Sequence, residues 1–193
     1  MKKSAFLLLA ALLLAAAPFL AAQPAAPKAE TPILLTSCGQ SPGVGMMSVI
    51  LRKVGLAYDL SPLATTADLK AKPYKTLIVV MGASLKGMGA AGIAIEDELK
   101  RTGALIDEAR KLKMKVIGAH VEGMKRRAQG ADAGDTTDEQ SIDAVAPRAD
   151  ILLVWKDGNT DGRFSAIAAA KKLALIEFEK QLDMVKICET LFK

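Results

Sequence analysis

Thr76-Leu77-Ile78-Val79-Val80-Met81 carries no charge, is apolar from Leu77 onward and is β-branched at Thr76, Ile78, Val79 and Val80. A strand with one wet face alternates apolar and polar residues; this run does not alternate. It therefore reads as a strand covered on both faces, as at the centre of a parallel sheet. Upstream, Ile33-Leu34-Leu35-Thr36 is a second apolar strand ending in Ser37-Cys38-Gly39. Met47, Ile50, Leu51 and Val54 then recur at helical spacing, and Gly55 closes that helix. Residues 57–60 form a weaker strand and residues 65–69 begin a short helix. Downstream, residues 82–92 read as a glycine-rich loop. Ile95, Leu99, Leu105, Ile106 and Leu112 mark a long helix with Glu96, Asp97 and Glu98 at its positive end.

Residues 115–119 form the next strand, ending at His120, and residues 129–138 a polar loop. Thr137 or Asp138 is expected to cap a short helix to Ala146, which Pro147 stops. Residues 151–155 form another buried strand, with turn residues at 157–162. A helix to Lys172, a strand at 173–178 and a last amphipathic helix to Leu191 complete the chain. Strands separated by helices predict an α/β fold. The expectation is a three-layer, doubly wound, mostly parallel sheet of five to six strands. Flavodoxin-like order (2-1-3-4-5 with an added sixth) is preferred over Rossmann-like order (3-2-1-4-5-6).

The N-terminus reads as an address. Lys2 and Lys3 precede twelve apolar residues at 6–17, Pro18 breaks the run, and Ala21-Ala22 offers a cleavage site. That is the layout of a secretory signal peptide over residues 1–22, and the run is short for a membrane span. A Pro/Ala-rich linker at 23–31 and one α/β domain at 32–193 follow. The expected location is periplasmic or secreted, with no membrane span after cleavage. Cleavage would leave 171 residues, with 24 basic against 21 acidic. So small an excess gives little support for a polyanion partner, and 4% aromatics disfavour base stacking; no nucleic acid is expected. Cys38 and Cys188 would reach an oxidising compartment, either as a disulfide or as buried free thiols.

Three stretches match catalytic or binding motifs. Gly39-Gln40-Ser41-Pro42-Gly43 fits the G-x-S-x-G elbow between strand and helix. The oxyanion hole of such an elbow uses the N–H after the serine, and Pro42 has none. His120 is the one histidine and would have to be the base. The alternative reading has Ser41 as N-cap and Pro42 in the first helical turn. Gly87-Met88-Gly89-Ala90-Ala91-Gly92 fits G-x-G-x-x-G, but five residues separate its first glycine from the strand. A dinucleotide fingerprint begins almost at the strand end. A loop presenting N–H groups to an anion fits better, with a ligand-free packing loop as the alternative. Asp157-Gly158-Asn159-Thr160-Asp161-Gly162 fits half a calcium loop, yet Ala168 stands where a bidentate Glu belongs. His120, Glu122 and Cys38 lack metal-ligand spacing. No cofactor and no metal are expected.

Residues 34–43 (LLTSCGQSPG), 77–93 (LIVVMGASLKGMGAAGI), 115–123 (KVIGAHVEG) and 153–164 (LVWKDGNTDGRF) together resemble an exported bacterial family. That family is catalogued as a domain of unknown function, number six-three-zero-five. The resemblance implies a signal peptide followed by one α/β domain, and carries no site residues.

In such sheets, ligands bind beyond the carboxyl ends of the strands, at the switch in strand order. The candidate ligand-binding residues there are Cys38, Gln40, Ser41, Ser84, Lys86, Gly87, His120, Asp157 and Asn159. The expected function is a non-catalytic binding module for a small polar or anionic ligand. The alternatives are an extracytoplasmic enzyme using Cys38 or His120, and a structural protein that binds a protein partner or forms a homodimer.

Overall fold

β3 (Thr76–Met81) lies where its uninterrupted apolar run requires, between β1 (Ile33–Cys38) and β4 (Lys115–His120), with all six residues buried. The computed structural model describes residues 27–127 and 136–193. The expected signal peptide at 1–22, residues 23–26 of the expected linker and most of the expected polar loop at 129–138 lie outside them. The remaining strands are β2 (Tyr58–Leu60), β5 (Ile151–Trp155) and β6 (Ala174–Phe178). All pair in parallel, in the order β2-β1-β3-β4-β5-β6. This is the flavodoxin-like order with an added sixth strand. It places the switch between β1 and β3.

Successive residues of each strand point to opposite faces, so the buried runs feed two cores. Leu34, Leu77, Val79, Val116 and Leu152 pack with Leu105, Ile106, Val145 and Phe164. These come from α4 (Ile95–Lys111), α5 (Thr137–Val145) and α6 (Arg163–Lys171). Leu35, Ile78, Val80, Ile117 and Leu153 pack with Met47, Leu51, Met184 and Leu191, supplied by α1 (Gly43–Val54) and α7 (Asp183–Phe192). Cys38 belongs to the first core and Cys188 to the second. The sheet separates them, and both are buried free thiols.

The expected loop at 82–92 is corrected by the structure. Leu85–Ala91 is a helix, α3, following the short α2 (Thr66–Ala71) in chain order. Ser84 caps it, accepting from Gly87 N at 3.1 Å, and Gly92 ends it in the left-handed conformation. Glycine at 87 is a packing requirement, because a Cβ there would overlap the Gln40 carbonyl oxygen.

Helices that connect parallel strands all run the same way. Their N-terminal turns gather at the carboxyl ends of the strands and their C-terminal turns at the amino ends. Acids complement the first and bases the second. Here the first turns carry Glu96, Asp97, Glu98, Asp138, Glu139 and Asp183. The last turns carry Arg52, Lys53, Lys70, Arg110, Lys111 and Lys171. Local helix chemistry, summed by the topology, makes the amino end of the sheet basic, while at the carboxyl end the acids are interleaved with Lys86, Arg101, Arg126, Arg127 and Arg163.

Candidate functional site at the carboxyl ends of the strands

Gly39 and Gln40 leave β1 with φ of 97° and 54°, two successive left-handed residues that turn the chain sharply toward β3. Gln40 bridges to Ala83, and Ser84 N donates to Gly39 O at 2.8 Å. The loops after β1 and β3 therefore adjoin, as the strand order requires. They close on each other: a Cβ at Gly39 would lie 2.7 Å from the Ala83 Cα. The expected open cradle between Gln40, Ser84 and Gly87 is a packed contact. Both amide hydrogens of Gln40 are directed inward, to Pro62 O and Glu98 Oε1, each at 3.1 Å.

Glu98 holds this turn from below. It is fully buried in the first turn of α4, and its Oε2 accepts from Gly39 N at 2.8 Å. Arg101 binds both carboxylate oxygens, at 3.1 and 3.0 Å. It also donates to Ala64 O, Thr36 Oγ1 and Ser37 O. Sequence reading assigned Glu98 only to helix polarity; the signal it contained was the i, i+3 spacing to Arg101.

Pro42, not Ser41, is the N-cap of α1, and no side chain caps the helix from that position. The expected capping role of Ser41 is corrected. Glu122 comes from the loop after β4, and its Oε2 accepts from Gly43 N at 3.1 Å. Arg126 holds the other oxygen at 3.2 Å and donates to Ala83 O at 2.9 Å. An internal carboxylate thus occupies the positive helix end where an anionic ligand was expected. Ser41 is 1% exposed, and its hydroxyl has no hydrogen-bond partner among the described residues. Lys86 is exposed in the first turn of α3.

Residues from α5 close the floor of the site. Ser141 Oγ accepts from Gly82 N at 3.0 Å and donates to Cys38 O at 2.7 Å, while Asp138 accepts from Ala83 N. Asp138 is thus spent on the β3 loop. α5 itself starts after Thr136 with no side-chain cap, which corrects the expected capping by Thr137 or Asp138. Cys38 is fully enclosed, and burial pushes its thiol pKa up, away from the reactive thiolate.

His120 is also fully buried. Its Nε2 lies 3.1 Å from Gly123 O, and its ring stands 5.2 Å from that of Phe164. Arg127 covers the same Phe164 ring at 5.6 Å and forms ion pairs of 2.6 Å with Glu139 and with Asp161. Asp157 accepts from Met124 N at 2.9 Å. Asn159 Oδ1 accepts from Phe164 N at 2.8 Å, fixing the start of α6. The residues of the half calcium loop are therefore committed to turn and helix contacts. Among the described residues, no group of three or more His, Cys, Asp or Glu could hold a metal ion.

Burial lowers the His120 pKa below the usual histidine range. The unfolded chain then binds this proton more readily than the fold does. The stability contributed by neutral His120 is complete above the unfolded value of about 6.5 and is lost as pH falls toward the folded value. No other histidine titrates in this chain. Urea melts should show stability falling between pH 7 and 5, by at most about 1.4 kcal/mol per pH unit. His120→Gln should flatten that slope. An imidazole titrating at or above about 6.5 by NMR would overturn the assignment.

The description "Domain of unknown function (DUF6305)" matches residues 30–192. The chain belongs to this family. No curated protein matches its sequence. Among solved structures, a proposed acylhydrolase from Bacteroides fragilis is 10% identical, with a TM-score of 0.35 over 78% of this chain and 70% of that one. An acetyl xylan esterase, AlAXEase, is 13% identical, with a TM-score of 0.33 over 83% and 84% of the two chains. Likeness of that degree carries no activity across to this DUF6305 domain.

Proposed function

We propose that this DUF6305 domain is a non-catalytic binding module for a small polar or anionic ligand, delivered outside the cytoplasm by residues 1–22. The burial of both candidate reactive side chains carries the reading. Cys38 and His120 have no exposed surface, and the thiol pKa is raised. The sharp turn at Gly39-Gln40 superficially suits a nucleophilic Ser41, but Pro42 supplies no N–H for an oxyanion and Ser41 has no base bonded to it. The anionic preference follows from the basic end of the domain, where cations outnumber the carboxylates available to pair with them.

The test joins binding to turnover. Purified protein is screened by thermal shift against organic acids, inorganic phosphate, nucleotides and divalent metals. It is assayed in parallel with 4-nitrophenyl esters and a fluorophosphonate probe. A ligand at about 100 times its Kd should add about 2.7 kcal/mol of stability. No ester turnover and no labelling of Ser41 are expected. Turnover abolished by Ser41→Ala or Cys38→Ser would overturn the reading.

A further inference from the structure

The polypeptide enters the described domain along its basic end. Ala29 N donates to Leu191 O at 2.9 Å, and Thr76 Oγ1 donates to Glu30 O at 2.7 Å, so residues 27–30 form a strap pinned across α7 and the start of β3. A cavity opens on each side of this strap. One, of about 320 Å³, is lined by Pro27, Ile176, Lys186, Ile187, Thr190 and Leu191. Its walls are mainly the apolar side chains of Ile187 and Leu191 in α7, flanked by the exposed Lys186 and Thr190, and Ile176 of the outer strand β6, which pairs only with β5. The other, of about 200 Å³, is lined by Lys28, Ala29, Glu30, Lys75, Lys113 and Lys115.

The two cavities adjoin along the strap. Pro27 lines the first and Lys28 the second. Lys28 Nζ donates at 2.7 Å to the carbonyl of Thr190, which itself lines the first. Among the described residues, Lys75, Lys113 and Lys115 make no ion pair. Four lysines and one carboxylate, Glu30, therefore line the second cavity, and the Lys28 ammonium already has a carbonyl partner in Thr190. Nearby α2 and α4 end here with their negative dipole ends, which offset part of the repulsion; an anion would offset more.

We infer that the amino end of the sheet binds a single-chain anionic amphiphile. Its hydrocarbon chain lies in the slot between β6 and α7, and its headgroup sits among Lys28, Lys75, Lys113 and Lys115. The inference rests on the binding-module reading and names its ligand class and place. An apolar slot opening beside a concentration of unpaired cations matches a molecule with the same division. A soluble inorganic anion would leave the slot empty, and a neutral apolar molecule would leave the lysines unpaired. The slot's volume lies at the lower end of small-molecule sites, about 300–1,000 Å³, which suits one chain and not two.

The experiment is titration calorimetry of the purified protein with dodecanoate, decanoate, octanoate, dodecanol and inorganic phosphate, and sedimentation with phosphatidylglycerol vesicles. Dodecanoate should bind below its micelle concentration, and affinity should fall about fourfold for each methylene removed. Dodecanol and phosphate should each bind at least about tenfold more weakly than dodecanoate. Lys113→Glu, exposed, with Lys115→Glu, half-buried at the start of β4, should weaken dodecanoate by a similar factor. NMR of the unaltered protein should place the dodecanoate-induced methyl shifts on Ile176, Ile187 and Leu191, a readout that depends on no variant. Chain-length independence, equal binding of phosphate, vesicle binding without dodecanoate binding, or shifts confined to the carboxyl-end loops would each overturn this inference while leaving a binding module. Turnover of 4-nitrophenyl dodecanoate would instead overturn the binding-module reading itself.

Discussion

Glu98→Ala should destabilise the domain by about 3–5 kcal/mol, the usual cost of removing one partner from a buried ion pair. The carboxylate has no exposed surface, and four donors converge on it: Gly39 N, Gln40 Nε2, and Nε and Nη2 of Arg101. Its loss strands the Arg101 guanidinium and leaves the Gly39 N–H unpaired. Glu98→Gln should cost less, since one amide oxygen can still accept from Gly39. Replacing both Glu98 and Arg101 by Met should recover only part of the loss. The Gly39 N–H would still lack an acceptor, and the Ser37 and Ala64 carbonyls would lose the donors that Arg101 supplies. Glu96→Ala, exposed in the same helical turn, should change stability by no more than about 0.5 kcal/mol. Urea melts of the four variants decide the matter. A loss below about 1 kcal/mol for Glu98→Ala would show that the turn after β1 is held by its backbone bonds alone.

Phe164→Ala should cost a similar amount, about 3–5 kcal/mol, by opening a cavity at the largest fully buried side chain. Phe164 contacts both the His120 ring and the Arg127 guanidinium, so it helps to keep water from the buried imidazole. The variant should therefore shift the His120 titration as well as the melting midpoint. Water entering the cavity would lower the desolvation penalty and move the imidazole back toward about 6.5. Phe164→Leu should lose less stability, because it keeps most of the apolar volume. A loss in Phe164→Ala with no change in the His120 titration would show that the seal over the imidazole comes from Gly158 and Gly123 instead. A Cβ at Gly158 would already lie 2.6 Å from the imidazole Cδ2.

Much of this architecture was legible before any coordinates. The unbroken run at Thr76–Met81 could be satisfied only by cover on both faces, which fixed a parallel sheet and hence helical crossovers. The expected switch between β1 and β3 is where the structure has it. α3 stands where a loop is expected because its two glycines, Gly87 and Gly89, carry weak helix propensity. The Ser84 cap, a local i, i+3 bond, offsets part of that deficit, and the close packing of Gln40 O that requires glycine at 87 is tertiary. Glu122 at the α1 terminus was hidden for the same reason. Seventy-nine residues separate it from Gly43, and nothing in either local stretch refers to the other.

The candidate site divides along the same line. Residue type and position at strand ends were enough to nominate Gln40, Ser41, Ser84, His120 and Asn159. They could not show whether those groups faced a ligand or one another. That depends on where the donors and acceptors of distant loops come to rest, and here most of them meet internally. The charge polarity is an intermediate case. α2 and α4 carry acids first and bases last for local electrostatic reasons, readable one helix at a time, and the other helices carry at most one of the two. Only the common direction of the crossovers gathers the bases that end α1, α2, α4 and α6 into one basic end. The sequence by itself determined the strands, the layers and the sign of each helix terminus. The tertiary structure decided which polar groups were already paired and which lysines were not, because pairing depends on three-dimensional proximity that no local pattern encodes.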